Sequence, residues 1–96
     1  MAIRSFADAT TKDFFIHGRI RKNTGWRNIS AVVGRKLDMM HYAALLSDLR
    51  SPPGNRLELL AGNLAGCHSI RINDQWRIVF RWTAIGPADV RVCDYH

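Results

Sequence analysis

The stretch that most constrains this chain is Cys67 to Trp82, CHSIRINDQWRIVFRW, in which apolar and polar residues alternate on either side of Asn73-Asp74. A period of two belongs to β-strands, because successive side chains leave opposite faces of the pleat. Alternation places Trp76, Ile78, Phe80 and Trp82 on one face, and Arg77, Val79 and Arg81 on the other. Before the turn, His68, Ile70 and Ile72 share a face opposed by Cys67, Ser69 and Arg71. In the last segment, Ala88 to Tyr95, Val90 and Val92 join the apolar side and leave Arg91 and Cys93 opposite. The apolar side needs a cover. The other side projects arginine from three strands, either as a solvated sheet face or as a surface that tracks a phosphate backbone. Asp74 and Asp89 are assigned to turns off that face, where they would leave its charge un-neutralised.

The cover comes from upstream. Ile3 to Phe6 is a short strand candidate, and Asp8 is placed to cap a helix from Ala9 to about His17, with Gly18 just past its end. Phe14 and Phe15 supply that helix's buried surface, against Phe6. A second helix is expected from about Asn28 to Leu46, where Ile29, Val32, Val33, Leu37, Met40 and Ala44 recur at helical spacing. Arg35 and Asp38 mark its polar face, and His41 is taken as a packing or surface residue. Between the helices, Arg19 to Arg27 (RIRKNTGWR) carries four positive charges and no acid. It is either a solvated loop or a basic contact loop for RNA or an acidic partner.

Asp48 to Asn55, with Pro52-Pro53 and Gly54, is expected to break all regular structure. Arg56 to Leu60 alternates as a further strand. The last strands are joined by short turns at Asn73-Asp74 and Ile85-Gly86-Pro87, so they should pair antiparallel as a meander. The fold class is therefore α+β: two N-terminal helices packed on one face of a twisted, mainly antiparallel sheet of four to five strands. With 96 residues, a single domain over 1–96 is expected.

Charge bears on partners. Fourteen basic residues stand against eight acidic, a net charge of +6, and eleven of the basic residues are arginine. Such a balance suggests a polyanion, and the planar guanidinium grips phosphate at two points where lysine offers one. No apolar run approaches the ~18 residues that span a bilayer, and the first residues have no apolar core of a signal peptide. No membrane association and a cytoplasmic location are expected. Cys67 and Cys93 match neither a zinc motif nor a disulfide framework, and are expected to be buried reduced thiols. Neither a metal nor a cofactor is called for.

The closing Asp94-Tyr95-His96 adds a carboxylate, a phenol and an imidazole at the sheet's edge. Cleavage of RNA by its own 2′-hydroxyl needs a base, an acid for the leaving oxygen and positive charge at the phosphorus. An imidazole with a pKa near ~6.5 serves either proton role, and arginine supplies the charge.

These residues carry a resemblance. The run Leu49-Arg50-Ser51-Pro52-Pro53-Gly54-Asn55-Arg56-Leu57-Glu58, then Ser69-Ile70-Arg71-Ile72-Asn73-Asp74-Gln75-Trp76-Arg77, then the terminal Asp94-Tyr95-His96, resembles the HigB-like toxins of the RelE/ParE superfamily. The likeness covers nearly the whole chain from Ile3-Arg4-Ser5-Phe6. It implies the RelE-like fold and the toxin of a type II toxin–antitoxin system: a metal-independent, ribosome-dependent mRNA endonuclease that inhibits translation and growth. It also implies a helix-turn-helix antitoxin of the HigA type, through whose complex alone operator DNA is bound. Arg77 would match the active-site arginine, and Asp94, Tyr95 and His96 the terminal catalytic cluster, with His96 in the proton-transfer role. Arg56 and Arg71, with Arg81 and Arg91, would bind RNA. Some family members carry a catalytic histidine in the strand matching Arg56–Leu60. This chain has Glu58 there, a candidate base. Because the superfamily also hosts non-catalytic inhibitors of DNA gyrase in the ParE manner, that alternative stays open.

Overall fold

The computed structural model describes residues 1–94. Two α-helices, α1 (Ala9–His17) and α2 (Ser30–Tyr42), precede four strands, β1 (Glu58–Leu59), β2 (His68–Arg71), β3 (Trp76–Thr83) and β4 (Gly86–Asp94). The strands form one antiparallel sheet in the order β1-β2-β3-β4, the expected meander. Its apolar face carries Ile70, Ile78, Phe80, Val90 and Val92, which pack with Val33, Leu37 and Met40 of α2 in one core. Burying a side chain of this size contributes ~1.5–3 kcal/mol, so this helix-to-sheet layer dominates the fold's stability.

Local chemistry sets the helix ends. Asp8 Oδ1 accepts from the Thr11 amide at 2.7 Å, and Gly18 closes α1 in the left-handed region (φ 67°). Thr11 is wholly buried, and its Oγ1 accepts from the Val92 amide at 3.1 Å, riveting α1 to β4. Phe15 meets Phe6, and Phe14 meets Trp26 edge-on at 5.0 Å. Trp26 is buried, and a Cβ on Gly25 would lie 2.8 Å from the Trp76 ring, so the basic loop is seated against the start of β3. Its Arg21 is paired to Asp13 at 2.7 Å, a contact that holds the Asp13 carboxyl below its usual range.

The structure corrects several expected boundaries. Ile3–Phe6 is no strand: it makes one parallel bridge, Phe6 to Val90, flanked by Arg4 N–H to Pro87 O and Val90 N–H to Ser5 O. The ladder cannot run on because β4 bulges there, with two residues, Asp89 and Val90, facing Phe80 alone. The second helix stops at Tyr42, after a 3-10 turn at Arg27–Ile29. Asp48 Oδ2 captures the amides of Ala44 and Leu45 at 2.9 and 3.0 Å, diverting them from the helix ladder. Ala43 is consequently buried and Ala44 exposed.

Segment 48–55 is not wholly irregular, since 3-10 turns span Leu46–Arg50 and Pro53–Asn55. The strand expected over Arg56–Leu60 shrinks to Glu58–Leu59; Arg56 closes the preceding 3-10 turn in the left-handed region at φ 45°, so no extended run begins there. Thr83 pairs with Gly86, so Ala84-Ile85 makes the last turn and Gly86-Pro87 already belongs to β4. The cysteines are free but only half-buried. No helix among the described residues is long and apolar enough to cross a membrane.

Candidate functional site

The sheet face turned away from the helices is not the uniformly open arginine surface that alternation suggests. Ser69, Arg77 and Val79 are buried there. β1 and β2 put Glu58 directly across from Ser69, and β2 and β3 put Arg71 directly across from Arg77. Arg77 therefore lies diagonal to Ser69 and reaches it: its Nε donates to Ser69 Oγ at 2.7 Å. Its Nη2 donates to the Arg56 carbonyl at 2.8 Å, and its Nη1 stands 3.4 Å from Glu58 Oε1. The arginine is only 7% exposed, while the Glu58 side chain is 47% exposed. A fixed guanidinium thus lies beneath a carboxylate that solvent or substrate can reach.

That arrangement has a definite chemistry. A half-exposed carboxylate beside a fixed cation suits an acceptor for a hydroxyl proton. A guanidinium held by neutral oxygens is preorganised to stabilise charge that develops on an adjacent phosphate. The motif that contains Ser69 assigned it no role, and the Arg56 carbonyl none either. The signal for Ser69 was its shared parity with Arg77 on the neighbouring strand, whereas the carbonyl's role depends on the left-handed turn at Arg56.

The remaining candidates divide. Register sets Cys93, not Asp94, across from Arg77; Asp94 pairs with Trp76 at the end of β4 and accepts from Gln75 Nε2 at 2.9 Å. Tyr95 and His96 lie outside the described residues. Arg91 is half-buried opposite Val79. Burial pushes the Cys93 thiol above its ordinary value.

Asp74 and Asp89, assigned to turns away from the arginines, in fact pair with them. Asp74 folds back onto Arg71, and Asp89 binds Arg81 Nε at 2.8 Å. The bulge at Asp89 (φ 51°) supplies the extra residue that brings its carboxylate over. Exposed ion pairs of this kind contribute only ~0–1 kcal/mol, so a phosphate can displace either carboxylate at small cost.

Beside β1 on the other side lies a cleft of about 570 Å³, lined by Arg50, Arg56, Leu57, Leu59 and His68 among others. His68 stacks on Phe80, and its Nδ1 is buried without a hydrogen-bond partner among the described residues. Among the described residues, no three His, Cys, Asp or Glu side chains cluster as metal ligands would.

Comparison with known proteins bears on the family and the fold. Residues 4–96 match the model of a family described as RelE-like toxin of type II toxin–antitoxin system HigB. Toxin HigB-1 of Vibrio cholerae serotype O1 is 51% identical over 55 residues, covering 57% of this chain and 58% of that protein. A protein of Haemophilus influenzae, named only as uncharacterized, is 44% identical over 55 residues, 57% of this chain and 54% of its own length. The aligned stretch thus spans little more than half of these relatives. Among solved structures, the YoeB–YefM complex from Staphylococcus aureus aligns over 100% of this chain and 99% of that one at 17% identity and a TM-score of 0.54. A YoeB/ParE toxin from Agrobacterium tumefaciens aligns over the same shares at 22% identity and a TM-score of 0.51. These structural likenesses establish the RelE-like α+β fold.

Proposed function

The chain belongs to the HigB-like family of RelE-like toxins of type II toxin–antitoxin systems, and from that premise we infer that it is a metal-independent endoribonuclease that cuts mRNA on the ribosome. The observation that carries the inference is the buried Arg77 guanidinium fixed 3.4 Å from the half-exposed Glu58 carboxylate. In the reaction, Glu58 takes the proton of an RNA 2′-hydroxyl. The 2′-oxygen attacks the adjacent phosphorus, and the bond to the 5′-oxygen breaks. Arg77 stabilises the extra negative charge on the pentavalent phosphorus. The leaving 5′-oxygen takes its proton from the terminal cluster of Asp94, Tyr95 and His96, with His96 as the donor. The products are a 2′,3′-cyclic phosphate and a 5′-hydroxyl, and no metal enters the balance.

RNA is held by Arg56, Arg71, Arg81 and Arg91, the middle two exchanging Asp74 and Asp89 for phosphates. The partner that silences the toxin is a HigA-type helix-turn-helix antitoxin, through which operator DNA is bound. That the similar Staphylococcus aureus toxin was solved as a YoeB–YefM toxin–antitoxin complex supports an antitoxin partner. Ribosome-dependent action places the toxin in the cytoplasm.

Mapping mRNA 5′ ends after induction tests this. New ends within translated codons, absent with Arg77→Ala, are expected. DNA damage without new ends would instead indicate the gyrase-directed alternative.

A further inference from the structure

The contacts that hold Arg77 continue into the core, to a lysine that the reaction does not use. Lys36 lies on α2, is 9% exposed, and makes no ion pair among the described residues. Its Nζ donates to Asn55 Oδ1. Burial holds its amine below the ordinary lysine value, and the charges of Arg35 and Arg71 press the same way. Asn55 is itself wholly enclosed, and its Nδ2 donates to the carbonyls of Leu49 at 3.1 Å and Ser51 at 3.3 Å. The next residue, Arg56, is the one at φ 45°, a conformation that a non-glycine residue keeps only when its surroundings impose it. The Arg56 carbonyl then accepts from Arg77 Nη2 at 2.8 Å. A continuous path links a helix to the guanidinium: a hydrogen bond from Lys36 to Asn55, the peptide bond from Asn55 to Arg56, and a hydrogen bond from Arg77 to the Arg56 carbonyl.

We propose that Lys36 is a positioning residue for Arg77: through Asn55 it pins the 51–56 turn, so that the Arg56 carbonyl aims the guanidinium at the scissile phosphate of an RNA strand. The proposal rests on the reading of Arg77 as catalytic. A purely architectural role explains Lys36 poorly. An amine this buried, with one amide oxygen as its described partner, is expensive to keep, and a methionine would fill similar space without a charge.

The test follows kcat and KM for cleavage of a defined mRNA on purified ribosomes, together with the ¹⁵N–¹H resonance of the Arg77 Nε–H. Lys36→Met should lower kcat about tenfold at unchanged KM, the scale expected when a reacting group is slightly misplaced. It should also shift or broaden the Arg77 Nε–H signal and leave that of Arg81 in place. Lys36→Gln keeps an N–H donor for Asn55 and should restore most of both. Added to Arg77→Lys, Lys36→Met should cost nothing more, since the group it orients is gone.

An unmoved Arg77 signal in folded Lys36→Met protein overturns the proposal. So does a full tenfold loss in the Arg77→Lys background, or a raised KM at unchanged kcat, which would make Lys36 an RNA contact. If Lys36→Met does not fold, Asn55→Asp replaces it: this keeps the acceptor for Lys36 but loses the donor to Leu49 and Ser51, and should move the same signal. If the unaltered toxin cuts no mRNA, the catalytic reading fails, while the Arg77 resonance still decides whether Lys36 pins it.

Discussion

Arg77 and Arg81 leave the same side of β3, yet they are held in opposite ways. Arg81 is 55% exposed in its side chain and paired to Asp89 at 2.8 Å. Arg77 is 8% exposed in its side chain; among the described residues it donates to two neutral oxygens at 2.7 and 2.8 Å and stands farther, at 3.4 Å, from the Glu58 carboxylate. Judged by distance alone, Arg81 makes the better ion pair. Physically it is the weaker commitment, because solvent screens it and its geometry costs side-chain entropy. Neutral acceptors fix a guanidinium without cancelling its charge. The difference separates an arginine that can lend itself to passing phosphates from one built to act at a single place.

The sharpest way to break this contrast is to replace Arg77. Arg77→Lys keeps the charge but loses the planar fork's hold on Ser69, the Arg56 carbonyl and Glu58, and kcat for ribosome-dependent cleavage should fall about 10²–10³-fold. A folded Arg77→Lys protein with normal kcat would show that the two arginines do not differ in function. Glu58 comes next. Glu58→Gln removes the base and should lower kcat by roughly 10²-fold, with the melting temperature little changed because the 3.4 Å contact is half-exposed. Glu58→His tests the same position from the other side. Cleavage should rise if the carboxylate is the poorer base, and stay level if the position is indifferent.

At Arg81 the expected changes are of another kind. Arg81→Ala should raise KM a few-fold at constant kcat and reduce the salt dependence of binding by about one phosphate contact. Asp89→Asn, which frees Arg81 of its competitor, should tighten RNA binding slightly while costing under ~1 kcal/mol of stability. Equal falls in kcat for Arg81→Ala and Arg77→Lys would erase the comparison.

The smallest effect concerns the support behind Arg77. Burial holds the folded-state pKa of Lys36 below the ordinary lysine value of 10.5, so between the two the unfolded chain binds the extra proton. Stability therefore rises with pH through that window, as the penalty for burying the charge is relieved. Urea midpoints measured from neutral pH toward pH 10 should climb in the unaltered protein relative to Lys36→Gln. Parallel curves would mean that Lys36 carries no such penalty.

Much of this architecture was legible in the residues. A period of two from Cys67 to Trp82, the Asp8 and Gly18 caps, and the short turns are local signals, and local signals survive any tertiary arrangement. They gave the meander, the apolar face and the position of α1. They also placed Ser69 and Arg77 on one side of neighbouring strands, whereas the side Glu58 takes came only with the β1–β2 register. What they could not show is how that side is divided. Whether an arginine is buried, whether Asp89 returns to Arg81 through a bulge, and whether Asn55 is a loop residue or a wholly enclosed one all depend on contacts between segments distant in the chain. The left-handed backbone at Arg56, just before the short strand of Glu58, was not legible from alternation either. The sequence by itself determined which face carries the arginines, because alternation is a property of the strand. Only the tertiary structure decided which arginine is held and which is free to exchange partners, because burial and hydrogen bonding are properties of the assembled sheet.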